Sequence, residues 1–490
     1  MSRKACVIKC IGYIDAHAWY PVTKWLATLI VSAITTVIGF ATAISAGVVA
    51  PVAKEFRVSQ EVDTLATALF LWGFGIGALV TGPISETCGR NMIFIVTMAL
   101  FMACIGIAGV ADTLPQQLVF RFLAGFLGSS PMVCAGGSIS DLWTSHQRVF
   151  VFPIFAVISC VGSLLAPVAG GYIQVNNASW RWGDWITLIA SGIFLFVVIF
   201  FLPETFQPLL HKVKARVIQS QTKGKKVHNL TIDSSGRPSL AYQILQGLYR
   251  PFVLTVHEPI VVLFTWYISL IYIVLFTSLN GYTFIFSENY GLNEAQTGLI
   301  FLAMLVGSCF VAFLIPYANG LYNRDLLHAQ NAAKEYNSKQ PTEHAEHKDL
   351  DTVTPPPESQ LYYALFGAPL IPISLFWMAF TARPDITYWC PLVGSIFFGF
   401  GFTTVFVSSY QYLMSCYGIW SASALASVNC LRSILSGGMM MASIPMYKNI
   451  GVQWSLTVLG IAGAVMAPVP YAFYVWGPTV RRWSRHAYKG

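Results

Sequence analysis

The chain has 490 residues, of which 55% are hydrophobic and only 10% are charged, and its formal net charge is +8. A soluble globular protein carries about 25% charged residues, so this composition excludes an ordinary soluble domain and indicates a surface that faces lipid. The ten cysteines are scattered singly, without the spacing of a disulfide framework or a metal site, so we interpret them as packing residues.

Twelve apolar stretches are long enough to cross a membrane, because a helix needs about 20 apolar residues to span the hydrocarbon core. Six of them precede a polar segment and six follow it. The predicted spans are 25–49, 65–84, 91–111, 116–138, 149–172, 184–203, 258–282, 296–318, 361–381, 389–414, 420–443 and 452–476. The sequence therefore predicts an all-α membrane protein with twelve transmembrane helices in two pseudo-symmetric six-helix bundles.

The polar segments between these spans define the predicted organisation of the chain. Both the linker between the bundles and the insert in the second bundle bury little apolar surface, so we expect them to be flexible. The predicted parts are an N-terminal tail 1–24, an N-terminal bundle 25–203, a linker 204–257, a C-terminal bundle 258–476 with an insert at 319–360, and a C-terminal tail 477–490.

The distribution of Lys and Arg predicts the orientation in the membrane. If both tails, the linker and the insert are cytoplasmic, that side holds 22 of the 29 basic residues. Cytoplasmic loops carry an excess of Lys and Arg, so we expect both termini in the cytoplasm. Asn177-Ala178-Ser179 then lies on the outer side, where Asn177 is a candidate glycosylation acceptor close to the membrane.

The loop after the second span reads Gly82-Pro83-Ile84-Ser85-Glu86-Thr87-Cys88-Gly89-Arg90. Glycine permits a tight turn between two helices, and a carboxylate with a guanidinium can hold neighbouring helices in one arrangement. The segment resembles the loop signature G-x-x-x-D/E-x-x-G-R of the major facilitator superfamily. The resemblance assigns Gly82, Glu86, Gly89 and Arg90 to a motif that controls the transport cycle.

The fourth span opens with Arg121, and Gly125 follows four residues later. An Arg within a span costs about 2.5 kcal/mol or more, so it should have a partner and a purpose. The pair resembles the R-x-x-x-G motif of the same superfamily. The alternative is that Arg121 extends its side chain to the outer membrane interface.

The fifth span contains a run of small residues around Pro167. Small residues let helices approach closely, and Pro bends the helix. The run from Gly162 to Gly171 resembles the antiporter motif G-x-x-x-G-P-x-x-G-G, with Gly170 in its penultimate place. Ala166 stands where the second Gly is expected, which weakens the inference of antiport.

Six shorter motifs stand at the ends of predicted spans: Asp141-Leu142-Trp143, Trp180-Arg181-Trp182, Leu202-Pro203-Glu204-Thr205, Arg250-Pro251-Phe252, Glu258-Pro259-Ile260 and Pro357-Glu358-Ser359-Gln360-Leu361. They resemble the fungal twelve-span drug:proton antiporter family, and within it the polyamine- and multidrug-exporter branch. The likeness covers about residues 15–480. One departure lies in the eleventh span, where Val428 stands in the place that the branch usually gives to Asn, and Asn429 follows it.

The acidic residues constrain the substrate, because all 21 lie in loops or near span ends. A polyamine needs buried anions or aromatic faces to replace its water. We therefore predict a neutral, amphipathic or anionic substrate rather than a polycation. Glu258, beside His257, is the candidate proton carrier, with a solvated interfacial carboxylate as the alternative.

Polar and aromatic residues of the C-terminal half are candidates for lining the substrate path. Aromatic walls with few polar groups suit drug-like ligands, although Tyr near span ends also belongs to the interfacial aromatic belt. Together with Glu258, the candidates are Tyr267, Tyr272, Asn280, Gln411, Asn429 and Arg432.

These observations, with the resemblance, predict a monomeric plasma-membrane transporter that works by alternating access. The resemblance implies proton-coupled efflux of a small organic molecule such as a drug, a toxin or a secondary metabolite. An organic-anion carrier that uses Arg121 and Arg432 as substrate ligands is the alternative, and polyamine export is less favoured. A membrane enzyme would need a metal-binding or nucleophilic group of residues within the spans, and the spans contain no paired His or Asp. A sensor with the transporter fold tends to have longer signalling tails. We expect lipid, substrate and protons as partners, and no cofactor, metal or nucleic acid.

Overall fold

The computed structural model describes residues 19–206, 209–210, 240–339 and 355–484. Most of the predicted N-terminal tail, the last six residues of the predicted C-terminal tail, the middle of the linker and part of the insert therefore lie outside the described residues. Within them the chain is almost entirely helical, and no β-strand occurs.

Six helical spans form the first half of the described chain. The first span is composite, because a 3₁₀ turn at Ser45–Val48 joins its two helices. The elements are α1 (Pro21–Ile44), α2 (Val49–Phe56), α3 (Gln60–Cys88), α4 (Arg90–Gly109), α5 (Leu114–Leu142), α6 (Ser145–Val175) and α7 (Arg181–Phe201).

Six further spans form the second half, preceded by the linker helix α8 (Leu240–His257). The elements are α9 (Pro259–Tyr282), α10 (Glu294–Lys339), α11 (Tyr362–Gly367), α12 (Leu370–Thr381), α13 (Trp389–Tyr417), α14 (Ser421–Ile450), α15 (Val452–Met466) and α16 (Val469–Trp483). Helices α11 and α12 together form one span, and so do α15 and α16. A π-helical turn at Thr283–Glu288 extends α9, and 3₁₀ turns at Pro357–Leu361 and Gly418–Trp420 precede α11 and α14.

Eleven of these helical segments are long and apolar enough to cross a membrane. The predicted span that is not among them is α14, which has 30 residues but contains Asn429, Arg432, Lys448 and several serines. Because α14 packs along α3 and α9, other helices rather than lipid surround Asn429 and Arg432, whereas Lys448 is exposed near the distal end. The fold is nevertheless the predicted one, an all-α membrane architecture of two six-helix bundles.

The helix contacts in the two halves repeat each other. In the first half α3 packs on α5, α1 on α6 and α4 on α7. In the second half α10 packs on α13, α9 on α14 and α12 on α15. The halves meet mainly through α3 with α14 and α6 with α10. We call the end of the bundle that carries residues 19 and 484 the terminal face, and the opposite end the distal face.

Glycine makes the close helix contacts possible in both halves. A Cβ atom added at Gly125 of α5 would fall on the backbone of Phe70 in α3. The equivalent contact in the second half joins Gly399 of α13 to the backbone of Met304 in α10. Small residues allow such close packing in membranes, where lipid tails are as apolar as the side chains they replace.

The long helix α10 differs from the sequence prediction. Its 46 residues run to Lys339, whereas we expected a flexible segment from residue 319 onward. The extension contains three Ala, three Leu and two Lys, which are strong helix formers. A helix satisfies its own backbone hydrogen bonds, so it can extend into water without a core of its own.

The close contact between α3 and α5 can be tested by adding one methyl group. We expect Gly125→Ala to lower the thermal melting temperature in detergent, since overpacking a tight contact costs about 1–3 kcal/mol. Gly106→Ala in α4 is the matched control, because nothing lies within 4 Å of its added carbon. Equal melting temperatures for the two variants would contradict the described contact.

Candidate functional site

A cavity of about 840 Å³ lies between the two halves, at mid-height in the bundle. Helices α1, α3, α5 and α6 line it from one half, and α9, α10, α13 and α14 line it from the other. We call it the central cavity. Its aromatic wall consists of Phe74, Tyr272, Phe276, Phe398, Phe402 and Phe406. No acidic residue is among the described residues that line it.

Hydroxyl groups supply most of the polarity of the central cavity. Thr35 and Ser159 share a hydrogen bond of 2.7 Å, and Ser308 accepts one of 2.9 Å from Thr403. Ser433 also lines the cavity, and its buried Oγ has no hydrogen-bond partner. A ligand with oxygen atoms would find a hydrogen-bonding group there.

Arg432 of α14 is the charged residue of the central cavity, and only 3% of it is exposed. Its Nε donates to Asn429 Oδ1 at 2.9 Å, and its Cζ lies 4.0 Å from the centroid of the Tyr272 ring. The Tyr410 hydroxyl donates to the same Asn429 oxygen. Among the described residues no carboxylate forms an ion pair with Arg432.

The predicted path residues lie at different heights in the bundle. Tyr272 and Arg432 line the central cavity, whereas Asn280 lines a second cavity of about 840 Å³ toward the distal face. There Asn280 Nδ2 donates to Ser443 Oγ at 2.8 Å. Asn429 lines a third cavity of about 700 Å³ toward the terminal face.

Two further candidates, Glu258 and Tyr267, line none of these three cavities. Glu258 is buried just before α9, where its carboxylate accepts hydrogen bonds from Tyr417 at 3.1 Å and from Ser484. It therefore holds the end of α16 against the end of α13. Tyr267 is fully buried in α9, and its hydroxyl has no hydrogen-bond partner.

Hydrogen bonds between the halves lie mainly at the terminal face. Gln411 Nε2 donates to the carbonyl of Arg148 at 3.1 Å, and the Tyr363 hydroxyl donates to the carbonyl of Val149 at 3.2 Å. His146 and Asn323 lie 2.6 Å apart.

The other contacts between the halves differ in kind. Near mid-height, Trp72 Nε1 donates to the carbonyl of Ile434 at 3.1 Å. Toward the distal face, close packing of α6 on α10 joins the halves, and no hydrogen bond does so within the described ranges.

Arg121 is buried in the first half, near the distal face, and forms an ion pair with Asp184 of α7. Its Nη1 also donates to the carbonyl of Ala41 at 3.1 Å. Asp63 of α3 is only 2% exposed and lies near enough to interact with the charge of Arg121. Gln117 is buried on the same helix as Arg121. Two carboxylates thus face one guanidinium. We call Asp63, Gln117, Arg121 and Asp184 the distal acid cluster.

Sequence reasoning missed Asp63 and the pairing of Asp184. The sequence nevertheless contains a signal for Asp63. It shares the i, i+3, i+4, i+7 spacing of one helix face with Ala66, Thr67 and Phe70, and all four residues are buried. The helix also begins at Gln60, earlier than the predicted span, and this places Asp63 within it.

The loop motif lies at the terminal face, where Gly89 adopts a φ of 95° between α3 and α4. Arg90 Nη2 lies 2.9 Å from Asp141 Oδ2, and Nη1 donates to the carbonyl of Cys134 at 2.9 Å. The Glu204 carboxylate accepts the backbone N–H of Arg90 at 3.0 Å. The motif therefore ties α4 to α5 and to the chain after α7.

Two other residues of the loop motif lie on the last turns of α3. Gly82 lines the third cavity, toward the terminal face. Glu86 is helical, but its side chain lies outside the described part of the structure.

The small residues of α6 contact two different neighbours. Added Cβ atoms at Gly162 and Gly170 would meet the backbone of the first span, at Thr36 and Gly47. One at Gly171 would meet the backbone of Glu294 in the other half.

Pro167 and Asn177 complete the predicted residues of this part of the chain. A Cβ atom added at Gly298 of α10 would lie 2.6 Å from the Pro167 carbonyl, so the motif also forms part of the interface between the halves. Asn177 is exposed at the distal face with a φ of 50°.

Sequence comparison identifies relatives over most of the chain. A family model described as Major Facilitator Superfamily matches residues 31–439. The MFS-type transporter kojT of Aspergillus flavus is 40% identical over 465 residues, which cover 95% of this chain and 79% of that protein. The MFS-type efflux pump MFS2 of Trichophyton rubrum is 33% identical over 468 residues, covering 95% and 74%.

Solved structures share the fold at low sequence identity. The proton:xylose symporter XylE is 13% identical with a TM-score of 0.63, over 93% of this chain and 97% of that one. The human organic anion transporter MFSD10 (TETRAN) is 12% identical with a TM-score of 0.59, over 92% and 100%. At this identity the likeness concerns the fold alone.

The buried ion pair of the distal acid cluster can be compared with an exposed one. We expect Asp184→Ala to reduce the free energy of unfolding by up to about 3–5 kcal/mol, because Arg121 would lose the carboxylate that it contacts and keep only the more distant charge of Asp63. Glu55→Ala is the control, since its 2.6 Å pair with Arg181 is partly exposed and such pairs contribute about 0–1 kcal/mol. Thermal and denaturant unfolding in detergent measures both, and a similar loss in the two variants would contradict the buried pair.

Proposed function

The chain belongs to the major facilitator superfamily, and we propose that it exports a small organic molecule in exchange for protons, with the two halves rocking about the central cavity. Members of this family are transporters and not enzymes, so the chain is a multi-pass membrane transporter. Alternating access between two bundles around a midplane site is the mechanism that this architecture supports.

The observation that carries the proposal is the central cavity itself. Sites for drug-sized ligands combine apolar walls with a few polar groups that fix the orientation of the ligand. The central cavity has an aromatic wall and a small number of hydroxyl groups. Both halves contribute to it, so a relative movement of the halves would open it to one side or the other. Because one chain forms the whole cavity, a monomer is sufficient for transport.

Export and orientation rest on two further observations. The similar protein of Trichophyton rubrum is named an efflux pump, which favours export. The excess of Lys and Arg in the tails, the linker and the insert supports a cytoplasmic terminal face. Export from the cell would then require insertion in the plasma membrane. With that orientation, the hydrogen bonds between the halves at the terminal face lie on the cytoplasmic side, and they must break for the substrate to enter from there.

The distal acid cluster is the group of residues best suited to bind the driving proton. Arg121 can compensate one carboxylate, and a second carboxylate buried beside it is costly unless it binds a proton. Asp63 Oδ1 and Asp184 Oδ2 are both buried without a hydrogen-bond partner. Glu258, the carrier that the sequence suggested, has hydroxyl partners at the terminal face, so we prefer Asp63 for this role.

Transport by the purified protein in liposomes with an imposed pH gradient tests the proposal. We expect gradient-dependent movement of a hydrophobic neutral drug or of a carboxylate, and no movement of the polyamine spermidine, because the central cavity contains no acid to replace its water. Uptake of spermidine would refute the argument from the acid-poor cavity. Binding without movement of any probe would favour a sensor over a transporter.

The proton site predicts a separable defect. We expect Asp63→Asn to abolish the response to the pH gradient while exchange of labelled for unlabelled substrate across the liposome continues, because the cavity is intact but the proton acceptor is gone. Asp385→Asn, at an exposed position of the distal face, is the control. Retained gradient-driven transport in Asp63→Asn would place the proton elsewhere.

A further inference from the structure

We propose that Arg432 is the anion-binding group of the central cavity, and that the transported molecule is a planar aromatic monoanion whose charged oxygen atoms bind this guanidinium. The inference rests on the proposed transport function and adds the chemical class of the substrate. It also selects one of the two arginines that the sequence offered as ligands.

The first argument is a comparison of the buried arginines. Four are buried in the described part of the chain, and three of them form ion pairs: Arg90 with Asp141, Arg121 with Asp184 and Arg481 with Glu358. Arg432 alone among them has no carboxylate partner, although it is as deeply buried as the others. A buried charge is costly unless it is paired, so a negatively charged ligand would supply what the protein does not.

The second argument concerns how the guanidinium is held. Asn429 Oδ1 accepts from Nε, and the Tyr410 hydroxyl also interacts with the guanidinium. The face of the Tyr272 ring lies 4.0 Å away. All three groups are neutral, so they fix the orientation of the guanidinium without cancelling its charge. A carboxylate arriving in the cavity meets a cation that is already positioned for a two-pronged contact.

A third argument comes from the neighbouring serine. Ser433 lines the cavity beside Arg432, and its buried Oγ has no hydrogen-bond partner. A buried hydroxyl without a partner costs free energy, which an accepting oxygen of the ligand would recover. Arg432 and Ser433 can therefore donate to the same anionic group.

The aromatic wall favours a flat molecule. The rings of Phe402 and Phe406 are parallel to within 2°, with centroids 6.4 Å apart. Tyr272 lies 5.2 Å from Phe402, and Phe74 lies 5.8 Å from the Arg432 guanidinium. A planar ring can pack against these faces while its anionic substituent contacts Arg432. Aromatic pairs of this kind contribute beyond their buried area.

Four two-ring probes of similar size test the inference by equilibrium binding to the purified full chain. They are naphthoate, the uncharged naphthamide, the cationic naphthylmethylamine and the non-planar decalin carboxylate. We expect naphthoate to bind best and naphthylmethylamine not at all. Arg432→Gln should weaken naphthoate binding about 10- to 100-fold, the effect of losing a hydrogen bond to a charged group, and change naphthamide binding about twofold at most.

Three further variants separate anion binding from damage to the fold. Arg432→Lys should retain part of the affinity for naphthoate, because it keeps the charge but loses the two-pronged geometry. Ser433→Ala should weaken naphthoate binding a few-fold. Arg383→Gln, in an exposed distal loop, should change nothing. Arg432→Gln should also melt no lower than the wild type, because it removes a charge that no carboxylate compensates.

The outcomes for the two proposals are distinct. The anion site would be overturned if naphthoate and naphthamide bound with equal affinity and Arg432→Gln did not change the ratio of the two affinities. Transport of a neutral drug in liposomes would still support the proposed function in that case. Decalin carboxylate binding as tightly as naphthoate would overturn the planar substrate. The complete absence of movement of any probe by the wild type would instead refute the transport function on which the inference rests.

Discussion

The structure depends on one constraint, which is that a charge buried within a membrane protein is costly unless an opposite charge pairs with it. Every ion pair that the structure describes joins elements of the same half: Arg90–Asp141, Arg121–Asp184, Arg181–Glu55 and Arg481–Glu358. The pairs tie the ends of helices together within a half. Glycine contacts such as that of Gly125 with Phe70 lock the same helices at mid-height. The described ion pairs are therefore internal to each half, whereas close glycine contacts also join the halves, as at Gly171 with Glu294.

The interface between the halves has a different character. Its hydrogen bonds at the terminal face involve Gln411, Tyr363 and His146 with backbone or amide partners, and no ion pair joins the halves within the described residues. Net contributions of such neutral hydrogen bonds are about 0.5–1.5 kcal/mol each. Breaking a few of them costs far less than separating a buried ion pair. Rocking of two rigid halves is thus the movement that costs least in this molecule.

The architecture followed from the sequence more completely than the site did. Apolar length predicted twelve spans, because the bilayer requires it at each crossing. Eleven described helical segments are apolar enough to cross, and α14 is not among them because it contains Asn429, Arg432 and several serines. Which residues face the central cavity depends on how each helix is rotated against its neighbours, and a single sequence does not determine that rotation. For this reason Tyr272 and Arg432 line the cavity, whereas Tyr267, which is equally aromatic and on the same helix as Tyr272, does not. Asp63 was missed because its helix starts before the apolar stretch does.

Two buried sites of the described chain have opposite imbalances of charge. The distal acid cluster holds two carboxylates for one guanidinium, whereas the described lining of the central cavity holds the Arg432 guanidinium and no carboxylate. Arg432 is also connected to the terminal face, because Asn429 contacts both Arg432 and Tyr410, and the ring of Tyr410 stacks at 6.4 Å on Phe152 of the other half. An anion bound at Arg432 would share the guanidinium with Asn429 and Tyr410. Any movement of Tyr410 that follows would change a contact between the halves, so occupation of the cavity would affect the hydrogen-bonded terminal face.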